Sequence, residues 1–171
     1  MPMRILTLMP AFAWFLAIAP SAAMAQQVNG CVQSELTNPA RVVYTCEGGL
    51  VLEAEAAAAF DIGSGSQGRP QSAELSGKGV LVEVEPGSGP FQILTPQAIA
   101  AVRGTVYAVD VEDAVTSVFV VRGEVGVSRP NGSEAVALAP GEGVTVTTGE
   151  PLVVKRWPQE KVDRLLARFA R

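Results

Sequence analysis

The 171-residue sequence contains no histidine, so its candidate chemical groups are carboxylates and two cysteines. The absence of imidazole excludes a Ser-His-Asp triad, a histidine general base and a histidine-ligated metal. The acids that recur at close spacing are Glu53 with Glu55, Glu83 with Glu85, and Asp110 with Glu112 and Asp113. A carboxylate-dependent hydrolase would need two of them to face each other about 5–10 Å apart across a cleft.

These acids are better explained as surface residues of a sheet than as a catalytic pair. Glu53 and Glu55 alternate with apolar residues, as Glu83 and Glu85 do, and such alternation is typical of a solvated sheet face. The acidic group at 110–113 lacks the ligand spacing of a calcium loop, so we interpret it as a solvated turn. We expect no catalytic residue, no metal site and no bound cofactor.

A glycine pattern at positions 63–68 matches G-x-G-x-x-G letter for letter. A dinucleotide site needs this loop to follow a buried strand and to open a helix whose N-terminus holds the pyrophosphate. Here Arg69 and Pro70 follow, and no helical periodicity develops. We therefore interpret the segment as a flexible loop.

The two cysteines, Cys31 and Cys46, enclose a 14-residue loop. In an oxidising compartment an even pair is typical of a disulfide. Closing a loop of this size would contribute about 3 kcal/mol of stability in the chain-entropy model. The alternative is a redox-active pair, but such pairs usually occur as Cys-x-x-Cys at the start of a helix.

The first 25 residues have the organisation of a bacterial secretory signal peptide. Arg4 supplies the positive n-region, positions 5–19 form an apolar h-region, and Ala23-Met24-Ala25 is a small-x-small cleavage site. As a helix the h-region would be about 22 Å long, short of a bilayer core of roughly 30 Å, so an uncleaved anchor is the weaker alternative. We predict cleavage after Ala25, a periplasmic or secreted location and no transmembrane segment after cleavage. The net charge of −4 gives no basic footprint for nucleic acid.

Strand signals recur along the rest of the sequence with turns at nearly regular intervals, which predicts an all-β domain. The Val-Arg-Gly unit at 102–104 returns nineteen residues later at 121–123. A repeat at a fixed offset favours stacked β-units, so we predict short strands arranged as a β-helix or solenoid. The Asn-Gly pair at 131–132, between two strand signals, predicts a hairpin.

The apolar residues of the C-terminal segment recur with the periodicity of an amphipathic α-helix. After Pro158, the residues Val162, Leu165, Leu166 and Phe169 form one apolar stripe. The helix either covers the β-domain or is offered to a partner or an anionic membrane surface. We favour the first alternative because exposed β-edges need a cover. In the second, the partner-contact residues would be Lys161, Arg164, Arg168 and Arg171.

The sequence FQILTP at 91–96, followed by AVRGTVYAV at 101–109, resembles the core signature of the FecR domain. In that signature a Thr-Pro pair leads into Val-Arg-Gly-Thr, an aromatic residue and a valine. Sequences on both sides resemble the other strands of the domain, so the similarity spans about residues 47–147. The resemblance implies structural roles for Thr95, Pro96, Arg103, Gly104, Thr105 and Gly123.

For Arg103 and its counterpart Arg122 two interpretations stay open. Either the side chains point inward, where they need acidic or carbonyl partners, or they lie exposed on the sheet.

The resemblance also implies an extracytoplasmic β-domain without a bound ligand, coiled as a β-helix or solenoid. The best-known members of the family are inner-membrane regulators that pass a signal from an outer-membrane siderophore receptor to a cytoplasmic sigma factor. This sequence departs from that layout. It has a predicted cleavable signal where those regulators have a cytoplasmic sigma-binding segment, and we predict no internal transmembrane helix. What carries over is a domain that interacts with other proteins.

We therefore predict four segments: a signal peptide at 1–25, a disulfide-stapled segment at 26–46, a FecR-like β-domain at 47–147, and a final strand with the C-terminal helix at 148–171. The predicted function is non-catalytic recognition of a protein in the cell envelope. The alternative is a structural scaffold of the envelope, and a carboxylate-dependent hydrolase is a weaker third hypothesis. A specific, saturable partner would distinguish the first from the second.

Overall fold

The computed structural model describes residues 26–65 and 68–171. The predicted signal peptide with its cleavage site, and positions 66–67 of the predicted flexible loop, lie outside the described residues. In the described part, fourteen strands precede one short α-helix, which confirms a mostly β fold with a C-terminal helix. No helix in this part is long and apolar enough to cross a bilayer.

The strands and the helix have the following bounds. The strands are β1 (Gln26–Val28), β2 (Cys31–Thr37), β3 (Ala40–Cys46), β4 (Leu50–Glu55), β5 (Ala59–Ile62), β6 (Ser72–Val84), β7 (Phe91–Leu94), β8 (Ile99–Val102), β9 (Val106–Glu112), β10 (Val115–Arg122), β11 (Val125–Ser128), β12 (Ala135–Leu138), β13 (Glu142–Val146) and β14 (Lys155–Arg156). The helix α1 spans Gln159–Leu166 and continues as one 3₁₀ turn at Ala167–Phe169.

The strands form two layers that share β6. The large layer is antiparallel throughout, in the order β1-β2-β3-β4-β6-β9-β10-β13-β14. The small layer has the order β5-β6-β7-β8-β11-β12 and is antiparallel except for the pair β6 and β7. The first half of β6 pairs in the small layer and the second half in the large layer. Lys78, with a φ of +67°, lies where the strand changes layer.

The main core lies between the two layers and contains the side chains that alternate inward. In β4, Leu50 and Leu52 are fully buried in this core, whereas Glu53 and Glu55 point to the outer face of the large layer. Both layers contribute apolar side chains to the core. Burial of that apolar surface, at about 25 cal/mol per Å², holds the layers together.

The N-terminal hairpin of β2 and β3 is closed at its base by the predicted disulfide. Cys31 and Cys46 are register partners in the two strands and form this bond. Further along β2, Val32 and Leu36 are 43% and 42% exposed, so the hairpin extends past the core. The sequence of β2, CVQSELT, does not alternate regularly between apolar and polar residues, and most of the strand is exposed. It therefore carries no clear strand signal, and β1 and β2 were not predicted.

The two Val-Arg-Gly units mark places where the chain crosses between the layers. At 102–106 the chain passes from β8 in the small layer to β9 in the large layer, and at 121–125 it passes back from β10 to β11. Since β8 pairs with β11 and β9 with β10, the two crossings lie side by side and run in opposite directions. The valine-rich sequence at 102–111 predicts one continuous strand there, which is wrong because the chain changes layer at 103–105.

The predicted β-helix is not confirmed. A β-helix stacks successive coils through parallel pairing, whereas within residues 26–65 and 68–171 parallel pairing occurs only between β6 and β7. The predicted hairpin at 131–132 is confirmed by the pairing of β11 with β12. The sequence at 152–154 predicts the final strand there, which is wrong because the final strand, β14, spans Lys155–Arg156. The division into four segments stays a prediction.

Candidate functional site

The outer face of the large layer is covered by residues 157–171, which we call the C-terminal arm. The arm consists of α1, the 3₁₀ turn and the residues that flank them. Its apolar stripe is buried at Val162, Leu165 and Phe169, each no more than 9% exposed. These side chains pack on a floor formed by Leu81, Val106, Ala108 and Phe119.

Strand alternation builds this floor from neighbouring strands of the large layer. Leu81 of β6 lies opposite Ala108 of β9, and Ala108 lies opposite Phe119 of β10. Glu53 of β4 continues the same row, because it lies opposite Leu81 on the other side. The arm therefore rests on an apolar row that ends in a carboxylate.

Arg168 joins the arm to two strands at once. Its Nε donates to Oε1 of Glu55 at 2.9 Å, and its Nη2 donates to Oε2 of Glu55 and, at 2.7 Å, to Oδ1 of Asp110. The backbone N–H of Gly79 also donates to Oε2 of Glu55, at 2.6 Å. A Cβ at Gly79 would lie 3.0 Å from Nη2 of Arg168 and 3.2 Å from Cζ of Phe169. The missing side chain at Gly79 thus makes room for the arm.

These contacts favour the charged forms of both partners. Burial raises the pKa of Glu55, but hydrogen bonds from Arg168 and Gly79 and the charges of Arg168 and Lys78 outweigh it, so the pKa lies below its ordinary value. The hydrogen bond to Glu55 raises the pKa of Arg168 above its usual range, against the opposing effect of burial. The pair is charged at neutral pH.

Arg171 forms a second link between the arm and the sheet. Its Nη2 lies 2.8 Å from Oε1 of Glu53 and 3.7 Å from Oε2 of Glu83. Glu53 also accepts a hydrogen bond from Nε of Arg41 at 2.8 Å and is only 7% exposed. The solvated position expected for Glu53 is wrong, because the arm returns over the sheet and brings a cation with it.

Lys161 lies on the side of the arm that faces Trp157. Its Nζ is 3.4 Å from the centroid of the indole ring, in a cation–π contact. Trp157 in turn stacks on Phe119, with 5.1 Å between ring centroids. Burial and the nearby charge of Arg164 lower the pKa of Lys161. Lys161 therefore helps to pack the start of the arm.

Arg164 points to solvent. Its side chain is 71% exposed and lies 3.7 Å from Glu160, one helical turn earlier. Of the four residues named for partner contact, the structure places Arg168 and Arg171 in ion pairs with the chain's own sheet. Lys161 and Arg164 lie toward the outside of the arm, and their contact with a partner stays a prediction.

An open groove of about 1050 Å³ runs beside the arm. Acids and cations line it together, among them Glu112, Asp113, Lys78 and Arg164. Within the part of the chain that the structure describes, no three side chains of metal-ligating type come together. The groove has the mixed charge of a polar contact surface.

The Thr-Pro pair of the family motif closes the turn between β7 and β8. Oγ1 of Thr95, the residue before Pro96, accepts a hydrogen bond from the N–H of Ala98 at 2.9 Å. The same oxygen lies 2.8 Å from Oγ1 of Thr116 in β10, which donates to Oε1 of Gln97 at 2.9 Å. Both threonines are buried, so this network ties the small layer to the large layer.

The Gly-Thr part of the motif holds the two layer crossings together. Oγ1 of Thr105 donates to the carbonyl oxygen of Glu124 at 3.0 Å. A Cβ at Gly123, where φ is +87°, would lie 2.8 Å from Oγ1 of Thr105. A Cβ at Gly104, where φ is +68°, would lie 2.9 Å from Cα of Pro86. A larger residue at either glycine would force the crossings apart.

The two arginines of the repeated unit are both exposed. Nη2 of Arg122 lies 3.8 Å from Oε1 of Glu83, and its side chain is 59% exposed. The structure therefore favours the exposed interpretation for Arg103 and Arg122. The motif residues therefore have structural roles. The ion pairs of the arm with the sheet lie elsewhere, on the outer face of the large layer.

Sequence reasoning missed that Glu53, Glu55 and Asp110 form one acceptor surface. A local pattern does not show which distant segment returns over a sheet face. One signal was present: Arg168 follows Leu165 of the apolar stripe by three positions, which places the two side chains on the same side of the helix.

A model of the FecR protein family matches residues 36–126. No curated protein matches the sequence. Two crystal structures of a putative anti-sigma factor from Parabacteroides distasonis have a similar fold. One is 22% identical over 82% of this chain and 63% of its own, with a TM-score of 0.57. The other is 23% identical over 81% of this chain and 62% of its own, with a TM-score of 0.51.

This chain thus spans a little over three-fifths of the length of those proteins, and the likeness concerns the fold. The family match covers more than half of the chain and includes the Thr-Pro turn and both layer crossings. On the strength of that match, the chain belongs to the FecR family.

Proposed function

We propose that the protein is a non-catalytic FecR module that is exported and binds a protein of the cell envelope. The predicted signal peptide supports export to the periplasm or beyond. The similar fold of proteins described as anti-sigma factors supports a regulatory role, in which binding passes on a signal.

The proposal rests on the ion pairs that the carboxylates of the outer face form with arginines. Glu55 and Asp110 are bound by Arg168, and Glu53 is bound by Arg171. A hydrolase would need one of these acids free to exchange a proton with a substrate. A sheet face that combines an apolar floor with arginine-binding acids is instead suited to protein recognition.

The N-terminal hairpin offers a second accessible surface. Val32 and Leu36 lie four residues apart on the same face of β2 and are both about two-fifths exposed. The disulfide at the base of the hairpin restrains it, so a partner would find these side chains already in place.

Crosslinking in cells, followed by affinity recovery of the exported chain, tests the proposal. The test variants are Val32→Asp with Leu36→Asp, and Lys161→Glu with Arg164→Glu. The matched control is Val153→Asp, which changes a valine that is 50% exposed in the segment before β14. We expect the native chain and the control to recover one envelope protein. A loss of about tenfold or more in one double variant would place the contact on the surface that this variant changes.

Recovery of the same protein by all four chains would keep the binding function and place its contact elsewhere on the domain. Absence of a specific partner for the native chain would contradict the proposal and favour the scaffold. Deleting the arm is not a suitable variant, because the deletion would uncover Leu81 and Phe119.

A further inference from the structure

We infer that the C-terminal arm is a displaceable occupant of a helix-binding site on the large layer, and that an arginine-bearing amphipathic helix of a partner protein replaces it there. This inference rests on the proposed binding function and names its surface and the chemistry of its partner.

The arm itself shows what the site recognises. Val162, Leu165 and Phe169 supply apolar groups at positions i, i+3 and i+7 of a helix. Arg168, at i+6, brings its guanidinium group to carboxylates of β4 and β9. Arg171 brings a second guanidinium group to β4 from just beyond the left-handed residue (φ +58°) that ends the helix. A partner helix with this pattern and the same left-handed ending would make the same contacts.

The acceptor groups on the sheet are held in place by the sheet itself. Glu55 accepts from the backbone N–H of Gly79 at 2.6 Å. Glu53 accepts from Arg41 at 2.8 Å, and their side chains are only 10% and 11% exposed. Because these bonds do not involve the arm, the site stays prearranged for an arginine from any source.

The arm is weakly structured on its own. Its α-helix has eight residues, fewer than the roughly 12–15 that an isolated helix needs in water. Pro158, at the N-cap, makes no side-chain hydrogen bond to the helix. Arg168 and Arg171 keep 30% and 49% of their side-chain surface in solvent, where their ion pairs are screened.

Opening of the arm leaves the main core intact. Leu81 and Phe119 belong to an apolar cluster that is separate from the core between the layers. The arm therefore opens at a lower free energy than the domain unfolds. While it is closed it competes with a partner helix, and the apparent affinity falls with the fraction of open molecules.

The test uses the full chain and, as probe, a fluorescein-labelled peptide with the sequence of residues 157–171. In the Arg168→Glu/Arg171→Glu chain, the new glutamates lie next to the carboxylates of the sheet. Their repulsion opens the arm, and no residue of the sheet is changed. In fluorescence anisotropy we expect this chain to bind the peptide at least about tenfold more tightly than the native chain. The matched control, Arg164→Glu on the exposed side of the same helix, should behave like the native chain.

A second opening variant, Phe169→Ala, covers the case in which the charge reversal prevents folding. Equal peptide affinity of the native and opened chains, or no binding to an opened chain with native circular dichroism, would overturn the inference. Binding that survives Glu55→Lys/Asp110→Lys in the opened chain would overturn the location of the site. Arm exchange between two native chains, seen as a dimer in light scattering, would overturn the partner assignment.

The two proposals fail separately. If the peptide does not bind while crosslinking in cells still recovers an envelope protein, the binding function stands and its contact lies elsewhere. If the peptide binds and cells yield no partner, the arm opens but the proposed function fails, and the inferred partner fails with it.

Discussion

Nη2 of Arg168 lies 2.7 Å from Oδ1 of Asp110, a residue 58 positions earlier in the chain. The same guanidinium binds Glu55, so one side chain of the arm bridges β4 and β9. Between them lies β6, where Gly79 has no side chain to obstruct the bridge. The arm is therefore fastened across the middle of the large layer.

Arg168→Ala should lower the free energy of unfolding by about 1–3 kcal/mol, because two partly buried carboxylates lose their hydrogen-bond donor. Arg164→Ala should cause little or no change, since Arg164 is 71% exposed. Urea unfolding of the two variants measures the difference. Equal losses would show that Arg168 contributes no more than a surface ion pair.

Acid should loosen the arm. The folded-state pKa of Glu55 lies below its ordinary value of about 4.3, so its pairing stabilises the fold fully above that pH. This stability is lost as the pH falls through the lower pKa of the folded state. Fluorescence of Trp157 reports the change in a chain that begins at Gln26, where it is the single tryptophan. A Glu55→Gln chain should show a shallower acid dependence, and identical profiles would contradict the assignment.

Tyr107→Phe should leave stability unchanged or raise it by up to about 1–2 kcal/mol. Tyr107 is fully buried, and its hydroxyl has no hydrogen-bond partner among residues 26–65 and 68–171. Burial raises the pKa of this hydroxyl, so the group stays neutral. Thr116→Val is the comparison, and it should cost about 1–2 kcal/mol because Thr95 and Gln97 lose a partner. A larger loss for Tyr107→Phe than for Thr116→Val in thermal unfolding would refute this prediction.

Gly123→Ala should destabilise the fold more than Gly132→Ala. Both glycines have positive φ, +87° and +71°, so both variants pay about 1 kcal/mol for the backbone conformation. A Cβ at Gly132 meets nothing within 4 Å, whereas one at Gly123 lies 2.8 Å from Oγ1 of Thr105. Overpacking should add about 1–3 kcal/mol at Gly123. Chemical denaturation of both variants measures the difference, and equal losses would mean that the crossing relaxes around the methyl group.

Local features of the fold were predictable from the sequence. Alternation placed Glu53 and Glu55 correctly on the face opposite Leu52, and the apolar stripe after Pro158 predicted the helix. The even pair of cysteines, in a chain expected to enter an oxidising compartment, predicted the disulfide between Cys31 and Cys46. Each of these predictions depends only on residues that are close to one another in the sequence.

The long-range features were not predictable in the same way. The repeat at 102–104 and 121–123 indicated a regular β-structure, but its offset is equally compatible with stacked coils and with paired crossings. Pairing direction decides between them, and it depends on which strands meet in space. The burial of Glu53 likewise depends on Arg171, which is 118 positions away in sequence.

The great sequence separation of the arm's contacts also determines when they form during folding. Glu55 meets Arg168 across 113 positions, and closing so long a loop costs more chain entropy than closing a hairpin. The hairpins of the large layer should therefore assemble first, and the arm should dock after the rate-limiting step. Substitutions in the arm then speed unfolding while the folding rate stays nearly unchanged. Through this late contact, the arm governs the lifetime of the folded protein more than the speed of its formation.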